Sequence, residues 1–449
     1  MVSKPPPTSS TVTGEAEPPV PPGDADATSA RGARGVDVAL LETPDLVAGS
    51  FGEYLSAWAK RIRNGESGIL PVLGGLVIII VIFQSQSSVF LSAGNLTNLL
   101  VQGAVFVLIG MAEVFVLLLG EIDLSLGYVG GIGAVVTAAL AAPPRNLPWW
   151  VAIAGGLAAT ALIGVIQGTL ITRLHLPSFV VTLAGLLGWE GAGIFLVEKS
   201  GSGTGGTIRI TNTVINDLVN GNISPTAGWI IMAAAVAAFA AFAVLRDRRR
   251  RASGLVTAPF ALTVLRVAIM AIAGVVLVAV CNTNRGVLVA LRGVPWVVLI
   301  VLVILAGWTF LLGRTRFGRY VYAIGGNAEA ARRAGINLGR IRRVAFTLAG
   351  LTAGAGGIIY ASRLGSISNN FDGGTLVLYA IAAAVIGGTS LFGGRGKMVH
   401  ALLGGLVIAT IYNGMGLLGI SAAAQYMVTA LVLLAAATVD AVARRGRSA

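Results

Sequence analysis

Twelve apolar stretches, each near the length of about 20 residues that a helix needs to cross hydrocarbon, follow one another from Ile69 onward. They run over 69–86, 96–119, 124–142, 149–172, 177–197, 227–245, 259–281, 295–312, 344–362, 375–392, 398–419 and 423–442. Within a bilayer no water answers a bare backbone N–H or C=O, so stretches of this length must form helices. The expectation is an all-α, polytopic integral membrane bundle of about 12 transmembrane helices. Composition agrees. Only 11% of residues are charged, against about 25% in soluble domains. Sixty-one glycines suit helices that approach closely through small residues.

The net charge of +13 does not point to nucleic acid. Residues 1–53 carry eight acids and three bases, a net of −5, which leaves +18 for the rest. Those bases cluster beside the apolar stretches, as helix-flanking anchors in a lipid bilayer do. With the N-terminus inside, 22 Lys and Arg fall on inside segments and 6 on outside ones. The asymmetry predicts a multi-pass protein of the cell membrane, inner or plasma, with both termini cytoplasmic. Residues 1–50, rich in Pro, Gly, Ser and Thr, have too little apolar material to offset ordering entropy and are expected to be a disordered cytoplasmic tail. No apolar core follows a basic start, so this is not read as a signal peptide. Residues 51–66 (FGEYLSAWAKRIRNGE) are expected to form an amphipathic interfacial helix, and 67–449 the transmembrane domain, with its longest basic loop at 313–343.

That loop contains NAEAARRAGIN, residues 327–337. Asn327 can cap a helix, Glu329 faces the positive end of its dipole, and Gly335 can end it in the left-handed conformation. Ala330, Ala331 and Ala334 keep it thin, and Arg332 and Arg333 make it basic. Two uses stay open: insertion into a groove on a partner, or contact with anionic lipid. GEIDLSLG, residues 120–127, and GGTSLFGG, residues 387–394, each follow a long apolar run and share an outline. They read as helix breaks in two related halves, making two of the helices candidates for discontinuity. The break residues are Gly120, Glu121, Asp123, Ser125 and Gly127, with Asp123 capping a helix from Leu124, and Gly387, Gly388, Thr389 and Ser390. Such breaks at membrane depth need cover from protein or a cavity; an ordinary tight turn is the plain alternative. Polar residues within the spans, Gln102, Thr182, Trp189, Glu190, Tyr412, Asn413 and Gln425, are candidates for a translocation path or for interhelical hydrogen bonds. Glu113 and Glu190 are ionisable at depth and stand out for that reason. There is no GxxxxGKS/T motif and no hydrolase triad, so no ATP hydrolysis is expected of this chain. His175 and His400 lie far apart and Cys281 is alone, so neither a metal site nor an internal disulfide is expected.

GEIDLSLG, LPSFVVTLAG, GRYVYAIGGNAEAARRAGIN, IAAAVIGGTSLFGG and YNGMGLLGISAAAQYMVTALVLLAA, in this order from about residue 90 to the C-terminus, resemble the sugar permeases of ABC importers. RDRRRRASGLVTAP, a further apolar run and NRGVLVALRGVPWVV resemble the longer, xylose-type members. The resemblance implies a permease subunit, acting as a homodimer, that forms the path for a monosaccharide, a xylose-type pentose or hexose, by alternating access. It implies a separate ATPase that docks from the cytoplasm and uses ATP and Mg, and an extracytoplasmic sugar-binding protein. No cofactor would be held by this chain. By similarity Glu329, Ala330, Ala331 and Gly335 correspond to the EAA-type ATPase-coupling element. Where relatives commonly show E-L-D, this chain has Val377, Leu378 and Tyr379. The rival expectation is a proton- or sodium-coupled secondary transporter relying on Glu113 or Glu190; a membrane scaffold is a third.

Overall fold

A computed structural model describes residues 69–200, 206–254, 259–286 and 289–448. The tail 1–50 and the interfacial helix 51–66 lie outside them. Each of the twelve apolar stretches holds a helix: α1 (Leu70–Gln86), α2 (Ala93–Leu117), α3 (Leu126–Ala141), α4 (Trp149–Arg173), α5 (Ser178–Ser200), α7 (Pro225–Ala252), α8 (Phe260–Asn282), α9 (Trp296–Arg314), α12 (Leu338–Leu364), α13 (Gly373–Ile386), α14 (Met398–Leu417) and α15 (Ala422–Ser448). Three short helices lie between them: α6 (Thr213–Asn220), α10 (Arg316–Gly326) and α11 (Ala328–Arg333). Eight of these helices are long and apolar enough to cross a membrane: α2, α4, α5, α7, α8, α9, α12 and α14. Helices α1, α3, α13 and the apolar part of α15 are shorter. Helices α3 and α13 have 16 and 14 residues because each adjoins a glycine break where the chain leaves helical geometry. The protein is an all-α polytopic membrane bundle, with eight clear spans rather than twelve by length.

Helix α2 is the axis. It is buried without interruption from Gly103 to Leu117, and α12, α13 and α14 pack around it. The bundle closes through small residues. A Cβ on Gly357 of α12 would strike the backbone of Gly130 in α3, and one on Gly164 of α4 would strike that of Phe346. Close backbone approach of this kind replaces the hydrophobic drive that is lost in lipid. The α7–α8 hairpin sits at the rim; in α7 only Gly228, Ala243 and Asp247 are buried.

Four short strands were not expected from the sequence: β1 (Thr207–Arg209), β2 (Asn222–Ile223), β3 (Val294–Pro295) and β4 (Ser366–Ser368). They make two antiparallel ribbons, β1 with β4 and β2 with β3, at one end of the bundle. Ile208 and Ile367 face each other in the first and are both buried. At the same end the Arg285 guanidinium donates to Thr97 Oγ1 (3.0 Å), the Cys281 carbonyl (2.7 Å), Asn222 Oδ1 (3.0 Å) and the Gly293 carbonyl (3.1 Å), tying the peripheral hairpin to α2. The opposite end carries the glycine breaks, the start of α12 and the helices α10 and α11. It is called the basic end below.

Candidate functional site

The two breaks are the same local structure. At the end of α2, Gly120 is left-handed (φ +76°), its N–H bonds the Leu117 carbonyl, and the Glu121 N–H bonds the Val116 carbonyl. At the end of α13, Gly388 is left-handed (φ +110°), its N–H bonds the Val385 carbonyl, and the Thr389 N–H bonds the Ala384 carbonyl. Both are Schellman motifs, which need a residue without Cβ strain at the turn. Gly120 therefore matches Gly388, not Gly387; the outline read from sequence is displaced by one residue.

Asp123 does not cap a helix at Leu124. Helix α3 begins at Leu126 with Ser125 at its cap position. The buried Asp123 instead accepts from the Ser125 N–H (2.9 Å) and hydroxyl (2.6 Å) through Oδ1. Gln167 Nε2 of α4 donates to Ser125 Oγ (2.8 Å), and the Thr182 hydroxyl of α5 donates to the Ile122 carbonyl (3.2 Å). Protein thus covers the irregular backbone, as hydrocarbon requires. In the second break the Ser390 N–H bonds the Arg395 carbonyl (2.8 Å), and Thr389 Oγ1 lies 3.5 Å from His400 Nδ1.

The breaks touch each other and the basic loop. The Gly394 N–H donates to the Leu118 carbonyl (2.9 Å). Gly325, at the end of α10, sits over that junction: a Cβ there would overlap the Leu118 carbonyl oxygen and the Gly394 backbone. Helix α10 turns Gly318, Val321 and Ile324 inward, and the Tyr322 hydroxyl donates to the Gly396 carbonyl (2.8 Å). Then comes α11. Asn327 Oδ1 accepts the Ala330 N–H (2.9 Å), and Glu329 pairs with Arg332 (2.6 Å) and Arg333 (3.1 Å) on the exposed surface. Gly335 is left-handed (φ +80°). Asn327, Glu329, Ala330, Arg332 and Gly335 are exposed, whereas Ala331 is buried and anchors the helix. Asn337 then caps α12 through the Arg340 N–H (2.9 Å). One turn on, Arg342 Nη2 reaches Glu121 Oε1 (3.0 Å), with the Glu121 side chain 13% exposed.

This half-buried pair joins the first break to the helix that follows α11. Losing either partner strands a charge in a poor solvent. Glu121→Gln and Arg342→Gln are each expected to destabilise the protein by about 1–3 kcal/mol, and the swap Glu121→Arg/Arg342→Glu to recover part of the loss. Thermal unfolding of the two single variants, of the Glu121→Gln/Arg342→Gln double variant and of the swap checks this; single losses of stability that simply add in the double variant would show that the two side chains act independently.

The candidate path residues do not converge. Thr182 belongs to the break. Trp189 and Glu190 line a cleft with Tyr128, Asn369 and Phe371. Its free volume is about 20 Å3, room for about one water and far below the roughly 300 Å3 of a small ligand pocket. Asn413 Oδ1 accepts from Asn95 (2.9 Å), Gln425 bonds the Ile420 carbonyl (2.9 Å), and Tyr412 stacks edge-on against Phe106. Gln102 Oε1 and both Glu113 oxygens are buried without a hydrogen-bond partner. Tyr379, at the position of the commonly acidic residue, is buried and edge-on to Phe106 (5.4 Å). Among the described residues no three His, Cys, Asp or Glu groups could hold a metal. Sequence reading missed Gly325, Tyr128 and Arg342. The apolar spacing of Val321 and Ile324 just before a glycine pair is the one signal that would have exposed α10 as an inward-facing helix.

A membrane bundle whose paired helix breaks are wired to an exposed, capped helix is the architecture of a transport permease. The chain belongs to the family of permease components of the branched-chain amino acid transport system, whose model matches residues 95–437. It is a non-catalytic transport permease subunit. It is 35% identical to the xylose transport system permease protein of Escherichia coli (strain K12) over 382 residues, which is 84% of this chain and 92% of the relative. The ribose import permease protein of the same strain is 31% identical over 388 residues, covering 86% and 95%. The D-allose transport system permease protein of that strain is 31% identical over 366 residues, covering 81% and 89%. No solved structure matches the chain.

Proposed function

We propose that this chain is the permease subunit of an ATP-driven importer for a monosaccharide, a pentose of the xylose type or a related hexose. The observation that carries the mechanism is the junction at Gly325, where the segment leading into α11 bears on both helix breaks at once. The kinship with xylose, ribose and allose permeases supports the sugar.

On this reading residues 67–449 are the permease domain and 313–343 its coupling loop. The short helices α1, α3, α13 and α15 also cross, giving twelve spans with both termini in the cytoplasm. Two facts favour an even alternation. The ribbons and the Arg285 ties join loops that fall on one side under that count, and the Gly325, Glu121–Arg342 and Gly394–Leu118 contacts join loops on the other. The basic end then faces the cytoplasm. A separate ATPase docks there on Asn327, Glu329, Ala330, Arg332 and Gly335, and binds the ATP and Mg. A sugar-binding protein meets the ribbon end, and two copies of the permease enclose the path. Closure of the ATPases pushes α11; α10 and α12 carry the displacement to the breaks, which reorients the path. The small Trp189–Glu190 cleft is a closed part of that path, with carboxylate, phenol and indole suited to sugar hydroxyls and a ring face.

The test is uptake of labelled xylose, ribose and allose in cells expressing this chain with its ATPase and binding protein. Uptake of at least one is expected to follow ATP and to persist when an uncoupler collapses the proton gradient at constant ATP. Uptake that stops with the uncoupler while ATP is held would overturn the reading in favour of a secondary transporter.

A further inference from the structure

The peripheral α7–α8 hairpin has a feature that transport does not use. Residues 246–251 read RDRRRR, five arginines against one aspartate, directly after the apolar part of α7. They mark the depth at which hydrocarbon gives way to headgroups. Val244, Asp247, Arg248 and Arg251 recur at three- and four-residue spacing, so they share one face of α7. With Phe260 of α8 they line a crevice of about 400 Å3 between the two helices. Arg248 and Arg251 are exposed at its edge, and Val244 and Phe260 supply its apolar wall. The one acid in the lining is already answered. Asp247 Oδ1 accepts from Arg246 Nε and Nη2 (3.1 Å each), and Oδ2 accepts the Thr263 hydroxyl (2.7 Å). Asp247 therefore braces the hairpin and the field in the crevice stays positive. Towards the bundle middle the exposed Val264, one turn on from Phe260 on the same face of α8, extends this apolar surface.

We propose that this crevice binds the phosphate headgroup of an anionic phospholipid, with its acyl chains against that apolar surface. An arginine pair offers planar forked donors to phosphate oxygens, and basic pockets between membrane helices favour such headgroups. A bare anion would leave the Phe260 wall and the apolar surface below it unused, whereas a lipid fills both. The site is an annular brace that holds the hairpin in register in the inner leaflet.

The test uses full-length protein in mild detergent, with lipid retention by native mass spectrometry and thermal unfolding as readouts. Phosphatidylglycerol, phosphatidylcholine and inorganic phosphate are compared at equal concentration. Phosphatidylglycerol is expected to be retained and to raise the unfolding temperature, and the other two not to. Arg248→Gln/Arg251→Gln is expected to weaken retention about tenfold or more. Arg249→Gln/Arg250→Gln, which removes the same charge from residues outside the crevice, is expected to keep it. Equal loss in both double variants, or no loss in either, would reduce the effect to general surface charge and end the proposal. An equal shift with inorganic phosphate would assign the crevice to a free anion instead of a lipid. Should the first double variant fail to fold, wild-type protein that shows no preference for phosphatidylglycerol over phosphatidylcholine refutes the site by itself.

Discussion

Gly325→Val is expected to abolish sugar uptake, while Gly326→Ala, one residue on, leaves it within about twofold. The two glycines are adjacent in sequence and opposite in environment. A Cβ at Gly325 would overlap the Leu118 carbonyl oxygen and the Gly394 backbone, whereas a Cβ at Gly326 meets nothing within 4 Å. Neither obstacle at Gly325 is a flexible side-chain tip; both are backbone belonging to the breaks. A valine there must lift α10 from the junction, at about 1–3 kcal/mol or more of overpacking. The displacement uncouples α11 from the elements it is proposed to move. Uptake, membrane abundance and recovery of the ATPase with the permease are measured together for both variants. Normal uptake by Gly325→Val at normal abundance would remove the junction from the mechanism.

Glu329→Lys is expected to cut uptake and ATPase recovery about tenfold or more with little change in the permease's own thermal stability. The side chain is half exposed and its two ion pairs lie on the surface, where each contributes at most about 1 kcal/mol. The fold therefore tolerates the change. A docking surface does not: the reversal puts a third positive charge beside Arg332 and Arg333 and a cation at the positive end of the helix dipole. The separation of a small stability effect from a large transport effect is the diagnostic result. A variant that transports at full rate with normal expression refutes the docking assignment.

These two variants also mark how far the chain could be read in one dimension. Glu329 was legible, because an Asn cap, an acid in the first turn and a terminating glycine are local signals, and the structure has each of them. The helix breaks were legible for the same reason, although their equivalence was displaced by one residue, since composition does not reveal which glycine takes the positive φ. Gly325 was not legible. Nothing near it in sequence announces that Leu118 and Gly394 converge on it. Tyr379 and Asn413 likewise read as path candidates or departures until their neighbours Phe106 and Asn95 were in view.

Residue type alone settled the solvent, the helical class and the ends of most helices, because hydrocarbon length and backbone capping depend on a window of a few to about 20 residues. The folded chain was needed to join the two breaks to the basic loop and to keep the polar residues of the spans in separate groups. Those outcomes depend on which backbones approach closely enough to exclude a methyl group, a sum over distant contacts that no local window contains.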